Sequence, residues 1–132
     1  MSMRMFLALV VTLCAFAVSV QPAAADTKGW CNAVISVNTK YGTMKNKRFL
    51  FPTQVPPSSW KKVIDTTLAN QNQYIALAPG SIKTAVKHQV AWFKKVKANH
   101  YNLRTPLAPM TIAEVHAIAN FEKTKCGITF ST

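Results

Sequence analysis

Three histidines and four carboxylates carry most of the acid–base chemistry open to this 132-residue chain: His88, His100 and His116, with Asp26, Asp65, Glu114 and Glu122. Most glycosidases flank the scissile bond with two carboxyl groups. Glu114 follows Thr111 at the T-x-x-E spacing of a helix capping box and so has other work. Asp26 lies at the expected start of the mature chain, which leaves only Asp65 and Glu122 for such a pair. Hard cations want several oxygen ligands, which the chain scarcely supplies. The histidines form no H-E-x-x-H and no i,i+4 pair, and Glu114 and His116 stand two apart, where helical side chains do not face each other. A zinc site would need all three histidines to converge from separate segments. There is no G-x-S-x-G elbow and no glycine-rich phosphate loop. No metal and no cofactor is expected.

One reaction class needs neither a carboxylate pair nor a metal. A small basic ribonuclease can use two histidines as general base and general acid, with a lysine stabilising charge on the phosphorus oxygens. His88 with Lys95 or Lys87, together with His100 or His116, has the right residue types. Almost any basic protein with three histidines would pass that test, so this stands as the alternative to a non-catalytic role.

The compartment follows from the first residues. Arg4, the apolar run Phe6 to Val20, and Ala23-Ala24-Ala25 before Asp26 have the order of a secretory signal peptide. The apolar run is short for a membrane span, which needs about 20 residues. Residues 1–25 are read as the signal and residues 26–132 as a single secreted or periplasmic domain. Cys14 leaves with the signal. Cys31 and Cys126 remain, and in an oxidising compartment an isolated pair is expected to bond. No later stretch is long and apolar enough to span a bilayer.

Charge is the strongest remaining clue. The chain carries +12, and losing Arg4 leaves 15 basic against 4 acidic residues. A field this one-sided attracts acidic partners and speeds association with them. The primary reading is a non-catalytic binding protein, of inhibitor or immunity type or a polyanion binder. Its partner would be an acidic protein, an acidic glycan or a nucleic acid. The expected contacts are Lys40, Lys45, Lys47 and Arg48 around a hairpin, and Lys83, Lys87, Lys94 and Lys95 on a helix flank. Lys61 and Lys62 form a further cluster, as Lys97 does with Lys94 and Lys95. A third reading, a cationic membrane-active protein, rests on the amphipathic stretch 81–100.

The elements that must position these residues are read as α+β, with an all-α bundle as the alternative. Residues 32–39, "NAVISVNT", are rich in β-branched residues and read as a strand. "KNKRFLF", 45–51, reads as its hairpin partner across a turn at Gly42. About three helices follow. The first is capped by Ser58 or Ser59 and carries the stripe Trp60, Val63, Ile64, Thr67, Leu68; it either breaks near Asn70 or runs on to Pro79-Gly80. The second is capped by Ser81 and buries Ile82, Val86, Val90 and Phe93, flanked by Ala85, Trp92 and Val96. The third opens at the Thr111 box, with Ile112, Val115, Ile118 and Ala119 facing inward and Gly127 as a C-cap. "ITFS", 128–131, reads as a possible short closing strand.

Overall fold

A computed structural model describes residues 23–131. The expected signal peptide lies outside these residues except for Ala23 to Ala25, which belong to the first helix. In chain order the elements are α1 (Ala23–Lys40), β1 (Met44–Lys45), β2 (Arg48–Phe49), a 3₁₀ turn (Pro52–Gln54), α2 (Pro57–Ala69), α3 (Gln71–Leu77), α4 (Lys83–Ala98), α5 (Ile112–Lys125) and β3 (Thr129–Phe130). Among the described residues, five α-helices and a minimal three-stranded sheet thus replace the expected three helices and broad hairpin. Among the described residues no helix is long and apolar enough to cross a membrane.

The largest departure is α1. The segment 32–39 is helical, not a strand. Trp30, Cys31, Val34 and Asn38 are all buried, and their spacing is that of one helix face. β-Branched residues favour strands mainly because they pack well on a pleated surface, and a helix that buries them equally well overrides that preference. Trp30 is fully buried and packs edge-on against Phe121 of α5, with ring centroids 5.7 Å apart, and against Tyr74 of α3 at 6.0 Å. Cys31 is bonded to Cys126 at the end of α5, with Cα atoms 5.4 Å apart. The helix is therefore pinned near both its middle and its far neighbour.

The hairpin survives in tighter form, entirely within 44–49. Met44 pairs with Phe49 and Lys45 with Arg48 across the two-residue turn Asn46-Lys47. Both turn residues are left-handed, with φ of 52° and 59°, the backbone that a two-residue hairpin of this twist requires. Thr43 and Asn38 lock the hairpin onto α1: the Thr43 hydroxyl donates to the Asn38 side chain, and Asn38 Nδ2 donates to the Val34 carbonyl at 2.9 Å. The closing strand is present and runs parallel to β2, pairing Arg48 with Thr129 and Phe49 with Phe130. The two phenyl rings stack 5.3 Å apart.

The helix starts show where local signals compete. α2 begins at Pro57, so Ser58 and Ser59 lie inside its first turn and do not cap it. Proline suits the first helical position because its missing N–H would have no partner there. α4 begins at Lys83 after Ile82, and Ser81 does not cap it. Ile82 is buried, and anchoring it in the core sets the start. The chain does break at Asn70, between α2 and α3. α5 has the predicted box: Glu114 N–H donates to Thr111 Oγ1 at 3.2 Å, and Thr111 N–H to Glu114 Oε2 at 2.9 Å. Its inward face holds Ile118, but Ile112 is 61% exposed. Gly127, at φ 67°, ends α5 in the left-handed conformation and lets Ile128 N–H reach the Glu122 carbonyl. The apolar side of α4 is in the core, with Val86 and Val96 fully buried.

Candidate binding face

Two tyrosines gather cations on either side of α2. Tyr41 follows the last residue of α1, and its hydroxyl accepts a hydrogen bond from Thr66 Oγ1 at 3.1 Å. Lys40 Nζ lies 5.4 Å from the centre of the same ring. The hydrogen bond from Thr66 lowers the Tyr41 phenol below its ordinary value, and the positive charges of Lys40 and Lys62 add to this against a cost of burial. Lys62 thus belongs to the same neighbourhood as the hairpin base.

On the other side, Tyr101 hydroxyl donates to Asp65 Oδ1 at 2.6 Å. Lys97 Nζ is 3.4 Å from the same oxygen, and Lys61 Nζ sits 5.1 Å from the centre of the Tyr101 ring. Asp65 is held below the usual carboxylate range, first by the Tyr101 hydrogen bond and then by Lys97 and Lys61. The same bond raises the Tyr101 phenol. Tyr101 achieves this from a left-handed backbone, φ 60°, directly after His100 at φ 54°. A bulky residue rarely adopts that conformation. Two residues in it end α4 well before the prolines of the following loop, and the Tyr101 N–H closes back onto the Val96 carbonyl at 2.8 Å. The result is a surface that carries Lys40, Lys61, Lys62 and Lys97 around two half-buried rings, with one carboxylate already engaged.

The predicted contact residues fall into two groups. Lys45, Lys47 and Arg48 are exposed at the hairpin tip, and Lys40 stands at its base. Lys87 and Lys94 are exposed on α4. Lys83 and Lys95 are committed within the chain: Lys83 Nζ donates to the Ala76 carbonyl at 3.3 Å, and Lys95 Nζ to the Ala108 carbonyl. Both ammonium groups satisfy backbone oxygens of neighbouring segments. That use accounts for them structurally.

The histidines are spread out. His88 Nδ1 is 2.7 Å from Glu114 Oε1, so Glu114 serves the cap with one oxygen and His88 with the other. Glu114 is held below its ordinary value, first by the Thr111 backbone and then by His88. His100 lies past the end of α4, twelve residues after His88. His116 is exposed on α5. Among the described residues no group of three His, Cys, Asp or Glu could hold a metal ion.

Sequence reasoning passes over Tyr41 and Tyr101, which organise the face, and meets Asp65 only as a spare carboxylate. A tyrosine beside a lysine is too common to be a signal, and a left-handed Tyr101 is invisible in composition. No protein-family model, no curated protein and no solved structure matches the chain.

Proposed function

We propose that this is an exported, non-catalytic binding protein whose lysine–tyrosine face and hairpin tip hold an acidic macromolecule. The observation that carries the reading is Tyr101, kept in a costly backbone conformation while it gathers Lys61, Lys97 and Asp65. Backbone strain of this kind clusters at binding and switch sites. The Cys31–Cys126 disulfide accords with an oxidising compartment.

Binding should depend steeply on salt, because each phosphate or sulfate neutralised by a lysine releases a counterion. The test titrates the protein with a single-stranded oligonucleotide and with a sulfated glycan between low and high salt. A Lys40→Gln, Lys61→Gln, Lys62→Gln variant is expected to flatten the log–log salt slope for the oligonucleotide by about 2, at roughly 0.7 per phosphate contact. Binding that ignores salt, or a variant with the wild-type slope for both ligands, would end this reading.

The second reading is the metal-independent ribonuclease. One observation favours it: a histidine whose Nδ1 is fixed by a carboxylate has the orientation of a general base. Its second catalytic histidine would have to come from His100 or His116. RNA incubated with the protein and with a His88→Ala, His100→Ala, His116→Ala variant separates the two readings. Equal cleavage by both leaves the enzyme reading without support. The membrane-active reading requires α4 to expose an apolar face that is buried against the core, so it calls for unfolding first.

A further inference from the structure

Of the three carboxylates whose side chains are described, Glu122 alone has no part in the surface contacts. It lies on α5, is 6% exposed, and has no hydrogen bond or ion pair to its carboxyl group among the described residues. It lines a chamber of about 80 Å³ at the centre of the helix packing. Walls come from every neighbouring element: Val34 and Asn38 of α1, Phe49 of β2, Val63 of α2, and Gln89 and Phe93 of α4. Asn38 is already satisfied by Thr43 and the Val34 carbonyl, and Gln89 Oε1 accepts from the Tyr74 hydroxyl at 3.0 Å. Tyr74 is the only other titratable side chain in the wall. Thr67, Tyr74 and Val37 also line a second cleft, of about 180 Å³, which opens between α1, α2 and α3 and is otherwise bounded by Ala33, Leu77, Thr66, Asn70 and Gln73. These three residues form a wall common to the two spaces.

A buried carboxyl group without a partner is costly, and it is relieved by a cation or by keeping its proton. Among the described residues no lysine or arginine lines this space. At neutral pH the proton alone can relieve it, so any cation that pairs with the ionised form would come from outside the described residues. We propose that the chamber and its outer cleft bind a small organic ammonium, its head paired with the Glu122 carboxylate and its apolar tail lying between Val37, Thr67, Tyr74 and Leu77. The chamber has about half the volume of an engineered apolar cavity that accepts benzene, which suits an ammonium head and a carbon or two. The rest of a short alkyl chain fits the outer cleft.

Proton balance gives the site a signature. Burial pushes the empty Glu122 carboxyl up to about 8, so near neutral pH the resting form holds its proton. An ammonium pairing with the carboxylate displaces that proton into solvent, one per ligand. Apparent affinity therefore rises about tenfold per pH unit below the Glu122 value and levels off above it.

The experiment titrates the oxidised protein with hexylammonium chloride and with 1-hexanol. It is followed by calorimetry in buffers of different ionisation enthalpy and by the amide resonances of Thr67, Tyr74 and Glu122. Hexylammonium is expected to shift those resonances, to bind about tenfold tighter at pH 7 than at pH 6, and to release one proton. Glu122→Gln is expected to weaken it at least tenfold and to abolish the proton release, with hexanol unaffected. The proposal fails if hexanol binds as tightly as hexylammonium to the wild type, or if no ligand moves those resonances and the chamber holds only water. Both failures are read on the unmutated protein, so they stand even if the variant does not fold.

Discussion

Replacing Glu122 by glutamine should make the protein more stable at alkaline pH, an unusual outcome for a buried polar site. The carboxyl sits 6% exposed with no counter-charge, and its titration moves from 4.5 to about 8 on folding. Between those values the folded chain keeps a proton that the unfolded chain has lost. Stability therefore falls as pH rises, by up to about 1.4 kcal/mol per unit for one proton. Over pH 5 to 8 the loss comes to about 3–4 kcal/mol, a large share of the roughly 5–15 kcal/mol of a typical domain. Glutamine has the shape of the protonated acid and does not titrate. The variant should match the wild type within roughly 1 kcal/mol at pH 5 and exceed it by about 3 kcal/mol at pH 8. Asp65 and Glu114 do not blur this window. Both are lowered in the folded state, so their contributions are complete above the ordinary carboxylate range and are lost only as pH falls through their folded values. Urea unfolding followed by tryptophan fluorescence at pH 5, 6, 7 and 8 supplies the curves. Parallel lines for the two proteins would refute the reasoning, because they would mean that Glu122 titrates alike in both states.

Three further perturbations separate stability from recognition. Replacing Cys31 and Cys126 by serine opens a bridge between residues 95 apart, and the chain-entropy relation sets the loss at about 4–5 kcal/mol in urea unfolding; a loss below about 1 kcal/mol would show that the unfolded chain is already held together. Thr111→Ala removes the side-chain half of the α5 capping box and should cost about 1 kcal/mol by the same assay, with a value near zero refuting the cap. Lys47→Gly relieves a left-handed lysine at the hairpin tip, φ 59°, and should add about 1 kcal/mol of stability while weakening oligonucleotide binding; unchanged binding would remove the tip from the contact surface.

The legible parts of the fold are those written in consecutive residues. The T-x-x-E box, the α2 stripe, the α4 apolar face and the Gly127 stop are all where spacing puts them. The Cys31–Cys126 bond follows from counting cysteines once the leader is set aside. The failure at α1 has a definite cause. Reading from residue 32 shows β-branched residues and no helix face, whereas reading from Trp30 shows Trp30, Cys31, Val34 and Asn38 one turn apart. Starting the segment at residue 32 left out Trp30 and Cys31, which begin the buried face. The face around α2 was half legible. Its lysines stand in visible clusters, but Tyr41 and Tyr101 join it through contacts 25 and 36 residues apart in sequence. Such pairings leave no local trace. The Glu122 chamber is less legible still, because its walls come from six separate elements.

The carboxylate economy ties these observations together. Three acidic side chains have their settings described here, and each is withdrawn from the open surface in a different way. Asp65 is held by Tyr101 and Lys97, Glu114 by Thr111 and His88, and Glu122 by burial. Of the lysines, only Lys97 is in an ion pair among the described residues. Lys83 and Lys95 each donate to a backbone carbonyl and keep their charge. The hairpin cations Lys45, Lys47 and Arg48 are exposed and in no ion pair among the described residues, while Lys61 of α2 shares Asp65 with Lys97. Exposed ion pairs contribute little stability in any case, so this arrangement gives up little in the fold. What it retains is a surplus of positive surface charge, which under the proposed reading would draw an acidic partner and which salt would screen over about a Debye length. The same shortage of cations in the interior leaves Glu122 with no internal partner. Surface and chamber are thus two consequences of one distribution of charge, and the first should answer to ionic strength while the second answers to pH.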